Sequence, residues 1–310
     1  MVPPSPAPEP AAERRPEPVA PRLQLLARAR QLGRRGHLAQ ARALIDQAAS
    51  ADAAQPVTPE WRARLALAEG VQQYFVGDHA AVDDHLQQAL QQAGEAGLPA
   101  LLADALALAA LQSQHLQQPG RAAQQAAQAL RLAGPDDHDV RYRCWLLLGN
   151  LCQTARDGQR AFALYRRALE AARAGDDSIG TAVTIARMAL VQAGGEMSRH
   201  LHGEHDPEAL RQAVVGLQSG LKLQQQAGVT DLAIDQLMLG FLLRLQGRPT
   251  EAEALFASWR DRFSDPERPL LPLRVDVEWA LCRLAAGDTE GARARADAAA
   301  RVPGQPAGSS

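Results

Sequence analysis

The sequence predicts an all-α repeat protein, and three observations support that prediction. Ala, Leu, Gln and Arg dominate the 310 residues, and these are strong helix formers, whereas aromatic residues make up only 4%. Short turn motifs rich in Gly, Asp or Pro recur along the chain. The segments beside each turn carry apolar residues three and four positions apart, which is the spacing of one helix face.

The turns divide the chain into helix-turn-helix units. They are Gly36-His37-Leu38, Gly77-Asp78-His79, Pro119-Gly120-Arg121, Asp157-Gly158-Gln159, Gly247-Arg248-Pro249 and Gly287-Asp288-Thr289. The helix after a turn then repeats one apolar pattern, in the copies Ala41/Ile45/Ala48, Val82/Leu86/Ala89, Ala122/Ala126/Ala129 and Ala161/Tyr165/Ala168. Such internal repetition is typical of architectures in which each unit stacks on the next.

These units resemble tetratricopeptide repeats. In the best copy the family's positions are occupied by Trp145, Leu148, Gly149, Cys152, Ala161, Tyr165, Ala168 and Leu169. The resemblance covers nearly all of residues 22–300 and implies a right-handed α-solenoid of about seven helix-turn-helix repeats. The family's final Pro is missing, and the interval is about 40 residues rather than the usual 34 or so. The chain is therefore similar to the long-repeat variant of bacterial signalling regulators.

Crowding between helices explains the pattern. Each helix packs on its hairpin partner and on the next repeat, so points of close crossing accept only Gly or Ala. We expect Gly149 to be such a point. Bulky side chains are expected to fill the gaps between crossings, among them Trp145, Tyr165, Phe75 and Phe256.

The two ends differ in composition from the repeats. Residues 1–21 contain eight prolines, which fix φ and remove backbone donors, so we expect a disordered Pro-rich tail. This tail is either inert or a Pro-rich docking ligand. Residues 301–310 are expected to form a flexible C-terminal tail, which leaves 22–300 as the repeat domain.

The fifth repeat is irregular. Its helices are predicted from about Ser178 to the region of Gln192 and from about 207 to 227, with a long His-rich loop at 194–206 between them. His200, His202 and His205 in this loop are candidate ligands for Zn or Ni, or for a pH-sensing site. The alternative is a solvated polar loop, because the sequence provides no obvious rigid support for metal ligands.

Familiar catalytic motifs are absent from the sequence. It has no phosphate-binding Gly-x4-Gly-Lys-Ser/Thr loop and no His-Glu-x2-His, Gly-x-Ser-x-Gly or paired Cys-x2-Cys motif. We therefore expect a protein that is not an enzyme and has no cofactor. Cys144, Cys152 and Cys282 follow no metal-ligand spacing and are expected to be buried thiols in a reducing cytoplasm.

Charge and hydropathy narrow the class of partner. The formal net charge is −2, so no global charge draws the chain to nucleic acid or anionic lipid. No apolar run in the sequence is long enough to span a membrane. Arginines of the first repeat form either a basic patch or the polar outer face of an end repeat; they are Arg28, Arg30, Arg34, Arg35 and Arg42. We expect a cytoplasmic protein with a protein or peptide partner, and self-association through end repeats is a further possibility.

In the family, the first helix of each repeat lines the concave surface along which partners bind. Carrying that register over predicts a groove of apolar side chains with scattered arginines and amides. Its residues are Arg64, Leu67, Val71, Tyr74 and Phe75, then Asp104, Leu111, Gln114 and His115, then Arg143, Leu146, Asn150 and Gln153, and then Leu237, Phe241 and Arg244. Asn150 matches the asparagine that family members use to hold a peptide carboxylate, whereas the lysine expected four residues earlier is Leu146.

The leading hypothesis is a non-enzymatic scaffold that binds a peptide or helix of a partner in this groove, in bacterial signalling or regulation. Two alternatives stay open. One is a chaperone-like carrier for a secreted or assembling partner, and the other is a metal-dependent or pH-sensing activity at the His-rich loop. Phe75 and Phe241 have an alternative of their own, as parts of the core between repeats.

Overall fold

The structure is a computed structural model that describes residues 21–34, 37–50, 57–204, 206–228, 232–263 and 271–300. Within these ranges it contains fourteen α-helices, one short 3₁₀ helix and no strand. The predicted tail at 1–21, apart from its last residue, and the predicted tail at 301–310 lie outside the described residues. The chain divides into two compact units, Met1–Leu108 and Ala109–Ser310.

The helices follow one another in pairs joined by short turns. The first unit contains α1 (Pro21–Arg34), α2 (Leu38–Ser50), α3 (Pro59–Val76) and α4 (His79–Glu95), and α5 (Pro99–His115) runs across the boundary. The second unit contains α6 (Pro119–Leu132), α7 (His138–Thr154), α8 (Gly158–Ala174), α9 (Ser178–Leu201), α10 (Pro207–Gln226), α11 (Ala233–Leu245), α12 (Pro249–Trp259), the 3₁₀ helix Arg260–Phe263, α13 (Leu271–Ala285) and α14 (Thr289–Ala300). The prediction of an all-α repeat fold is confirmed. No helix among the described residues combines the length and the hydropathy that crossing a bilayer requires.

The turns share one backbone geometry but not always the residues predicted for it. Gly77 ends α3 in the left-handed region, with φ of 91°. In two later turns the left-handed residue is not glycine, because Gln117 has φ of 58° and Arg156 has φ of 62°. The predicted turns at 119–121 and 157–159 are therefore placed one or two residues too late. Pro119 and Gly158 are instead the first residues of α6 and α8.

Close crossings between paired helices carry the expected small residues. A Cβ added to Gly149 on α7 would lie 2.5 Å from Cε1 of Tyr165 on α8, and the tyrosine side chain is completely buried. In the fifth repeat the small residue is on the second helix instead. A Cβ added to Gly220 on α10 would lie 2.9 Å from the Cα of Ala186 on α9. Glycine is required at both points because the partner atoms leave no room for a side chain.

The cores lie between the helices of each unit. In the second unit one cluster extends from α9 to α13, and Phe256 within it is completely buried. Trp145 is half-buried beneath the guanidinium of Arg167, 4.9 Å from the ring centroid. The prediction that Phe75 fills a gap between helices is wrong, because 42% of this residue is exposed at the end of α3.

The long loop predicted in the fifth repeat is wrong for most of its length. Helix α9 has 24 residues and continues through Gly194 and Gly195 to Leu201, so the connection to α10 is confined to 202–206. The two glycines suggested a loop because Gly weakens a helix. The structure tolerates them because α10 packs alongside α9.

Replacing Gly149 with Ala tests the crowding at the α7–α8 crossing. We expect a loss of about 1–3 kcal/mol in the free energy of unfolding, because the methyl group must displace the Tyr165 ring. Gly195→Ala is the matched control, since nothing lies within 4 Å of an added Cβ there. It should stabilise by about 0.5–1 kcal/mol through helix propensity. Urea unfolding followed by circular dichroism measures both, and equal effects at the two sites would contradict the packing argument.

Candidate functional site

Helix α3 carries the predicted groove residues of the second repeat, and some of them lie in the core and others at the surface. Leu67 and Val71 are only 1% and 2% exposed, so they belong to the core. Arg64 is half-buried and pairs with Glu60 one turn earlier, with 2.9 Å between Nε and Oε1. At the end of the helix, the rings of Tyr74 and Phe75 meet edge to face, with their centroids 5.4 Å apart.

The predicted residues on α5 are less accessible than a binding surface requires. Asp104 is buried and forms an ion pair with Arg30 of α1. Leu111 and Gln114 are half-buried, and only His115 at the end of the helix is exposed. The acidic groove residue of this repeat therefore holds two helices of the first unit together.

Arg143 on α7 is not a free guanidinium. It is nine-tenths buried and pairs with Asp139 one turn earlier, with 3.0 Å between Nη2 and Oδ2. Leu146 on the same helix is half-buried. A partner would have to compete with this intramolecular pair for Arg143, and breaking the pair would leave the buried guanidinium without its carboxylate.

Asn150 and Gln153 both lie within hydrogen-bonding distance of a buried tyrosine hydroxyl. The Tyr165 hydroxyl lies 2.8 Å from Oδ1 of Asn150 and 2.7 Å from Oε1 of Gln153, and it can donate its one proton to either. These amides therefore satisfy a polar group that the α7–α8 crossing buries. The asparagine that matches the family's carboxylate-binding position has a structural partner in this chain.

Two of the three predicted residues on α11 belong to the core. Leu237 and Phe241 are 7% and 9% exposed. Arg244 is half-buried, pairs with Glu278 of α13 at 3.0 Å, and lies over the Phe241 ring at 5.3 Å from its centroid. This arginine therefore connects α11 to α13 and closes one side of the buried phenylalanine.

Helix α13 exposes an apolar stripe that the register argument missed. Val277, Leu281 and Leu284 are 45%, 37% and 53% exposed, and their spacing of four and three places them on one face. Leu273, one turn before Val277, is half-buried on the same face. The opposite face of α13 is the one that packs into the core. Leucine and valine recur at helical spacing on the face of α13 that points away from the core, and this signal in the sequence could have identified the stripe.

The histidine residues are not gathered into a metal site among the described residues. His200 is exposed on the last turn of α9, and the Nδ1 atom of His202 lies 2.7 Å from the carbonyl oxygen of Ser198. His205 lies outside the described residues. The metal hypothesis had relied on a mobile loop that brings three imidazoles together, and α9 fixes its part of that segment as helix.

The cysteines are free thiols, with Cys144 and Cys282 buried and Cys152 half-buried. Burial raises the pKa of both buried thiols to about 11. They are therefore protonated at neutral pH, which is the unreactive form.

Comparison of the sequence with protein-family models and with curated proteins gives no match. Several solved structures are nevertheless similar in fold. A Rap protein complexed with competence and sporulation factor matches with a TM-score of 0.62 at 13% identity, over 91% of this chain and 76% of that one. The apo form of RapI matches with a TM-score of 0.54 at 14% identity, over 91% and 97%. PilF of Pseudomonas aeruginosa matches with a TM-score of 0.55 at 15% identity, over 76% and 90%. The fold is that of a tetratricopeptide-like α-solenoid, as the resemblance implied.

A pH titration of the three tyrosine hydroxyls tests whether these side chains are buried as the structure places them. Burial raises the pKa of Tyr165 to about 12, and it also raises the pKa of Tyr74 and Tyr142 above the ordinary value of about 10. Because the folded pKa values are the higher ones, this contribution to stability is complete below pH of about 10 and is lost as the pH rises towards 12. Titration of tyrosinate absorbance should show a late transition in the native protein and an ordinary one in denaturant. An ordinary transition in the native protein would contradict the buried positions.

Proposed function

We propose that the chain is a non-enzymatic scaffold that binds a helix or peptide of a partner protein on the exposed faces of its first helices. The observation that carries this proposal is the apolar stripe on α13, formed by Val277, Leu281 and Leu284 with Leu273 beside them. An amphipathic helix laid along such a stripe would bury its own apolar face against it. Ile234 on α11, which is 45% exposed, offers a further apolar contact on the preceding first helix.

The residues beside the stripe favour a partner that binds through apolar side chains rather than mainly through charged ones. Glu278 already pairs with Arg244, and Arg283 already pairs with Glu253 at 2.7 Å. These pairs occupy two of the charged groups that flank the stripe, whereas Arg274 is exposed beside it. Burial of leucine and valine side chains would therefore supply most of the binding free energy, at about 1.5–3 kcal/mol for each side chain.

Two further features of the proposal follow from the comparisons and the cysteines. The similar Rap protein is complexed with competence and sporulation factor, and by analogy we place this chain in bacterial signalling or regulation. Free thiols fit a reducing compartment, so we place it in the cytoplasm.

Charge reversal at Arg64 and Arg143, the obvious test of the sequence-based groove, is unsuitable for this proposal. A glutamate at position 143 would lie beside Asp139 in a buried setting and would destabilise α7. Loss of binding would then report unfolding rather than loss of a contact. Exposed residues of α13 avoid this difficulty.

Leu281 and Leu223 make a matched pair for the test, because they are 37% and 38% exposed. Leu223 is on α10, the second helix of its repeat. A photo-cross-linking amino acid at 281 should capture one protein through a defined segment, and the same group at 223 should not. With that protein purified, Leu281→Glu should weaken binding at least about tenfold and Leu223→Glu should leave it unchanged. Equal cross-linking at both positions, or unchanged binding by the Leu281→Glu variant, would overturn the proposal.

A further inference from the structure

The long hairpin of the fifth repeat forms one side of a cavity in the second unit. Helices α9 and α10 have 24 and 20 residues, whereas α11 and α12 of the next repeat have only 13 and 11. The cavity lies between one face of α10, the C-terminal end of α9 and the turn from α11 to α12. Its volume of about 740 Å³ is within the range of ligand-binding pockets.

The floor of the cavity is apolar. Leu210, Val214 and Val215 of α10 line it together with Leu245 of α11. Val214 is buried at 1% exposure, whereas Val215 is the most exposed large hydrophobic residue described, at 61%. The cavity is therefore open to solvent along α10 rather than enclosed. A ligand that enters it can continue as a chain beyond its edge.

The rim of the cavity is charged, and its arginines are already paired. Arg211 forms an ion pair with Glu208, and Arg248 forms one with Glu251 at 2.6 Å. Behind the rim, Arg199 bridges two of the lining carboxylates, with 2.6 Å to Glu196 and 3.4 Å to Asp206. Each guanidinium is therefore neutralised by the protein itself.

Carboxylates outnumber guanidiniums around this cavity. Three carboxylates, from Glu196, Glu204 and Asp206, line it together with two guanidiniums, from Arg211 and Arg248. The ion-pair partners outside the lining add two carboxylates and one guanidinium, from Glu208, Glu251 and Arg199. The lining also contains the imidazole of His200. Glu204 is exposed on the rim, and no described side chain pairs with it. The excess of negative charge beside an apolar floor favours a ligand that is both cationic and apolar.

We propose that this cavity binds a basic, amphipathic peptide segment of a partner protein. An aliphatic or aromatic side chain of the segment lies against Val215 and Leu210, and a neighbouring Lys or Arg pairs with Glu204. The open mouth along α10 suits a peptide whose chain continues in both directions. This site goes beyond the proposed function, because none of its residues belongs to the α13 stripe.

The first test uses a phage-displayed library of random heptapeptides, selected on the immobilised full-length chain. Val215→Arg places a cation on the floor, and Leu223→Arg places one two turns further along the same helix, outside the lining residues. Both residues are exposed, so both variants should fold. Peptides enriched on the wild type should carry Lys or Arg next to an apolar residue, and should bind the Leu223→Arg variant but not the Val215→Arg variant. Enrichment of acidic peptides, or equal recovery on both variants, would overturn the proposal.

The second test measures the charge contribution with the best enriched peptide by fluorescence anisotropy. Glu204→Gln should raise the dissociation constant about two- to fivefold, and the difference should shrink at high salt. Glu290→Gln is the control, because Glu290 is exposed on α14 away from the cavity. Equal effects of the two substitutions would overturn the charge argument. Leu281→Glu should leave this peptide's binding unchanged, so failure of the α13 proposal can be told apart from failure of this one.

Discussion

The close crossing of the two helices within a repeat is the constraint on which the rest of this structure depends. Gly240 on α11 faces Phe256 on α12 as Gly149 on α7 faces Tyr165 on α8, and both aromatic side chains are completely buried. Each crossing places one face of a first helix against its partner. Residues on that face, such as Leu237 one turn before Gly240, then belong to the core. Only the remaining face of each first helix can meet another molecule.

The sequence predicts this fold well because the small residues at the crossings recur in register. It does not predict which first-helix residues stay accessible, because that depends on how far each helix is rotated about its axis. Leu67 and Leu237 were assigned to a groove by analogy and are core residues. The polar groups Arg143 and Asn150 looked available for a partner, yet each has a partner within the chain. The partner of Arg143 lies one turn away on the same helix, whereas the partner of Asn150 lies on the next helix, where only the folded packing brings the two together.

The length of α9 is the second property that local sequence signals failed to predict. Gly194 and Gly195 predicted a loop, but tertiary packing on α10 keeps α9 helical to Leu201. Because this hairpin is longer than the next one, part of α10 stays uncovered and the cavity forms beside it. The α13 stripe has a comparable origin, since α13 is apolar on a face that no other described helix covers. The two proposed binding sites therefore arise where the repeats depart from regularity.

A double-mutant cycle at the α11–α12 crossing tests the central constraint most directly. Gly240→Ala, Phe256→Leu and the double variant are compared by urea unfolding. An added methyl group at 240 would overlap the Phe256 ring, and leucine at 256 removes that ring. If steric fit fixes the crossing, the double variant should lose less stability than the two single variants lose together, by about 1 kcal/mol or more. Additive effects would contradict the claim that steric fit at this crossing fixes the repeat.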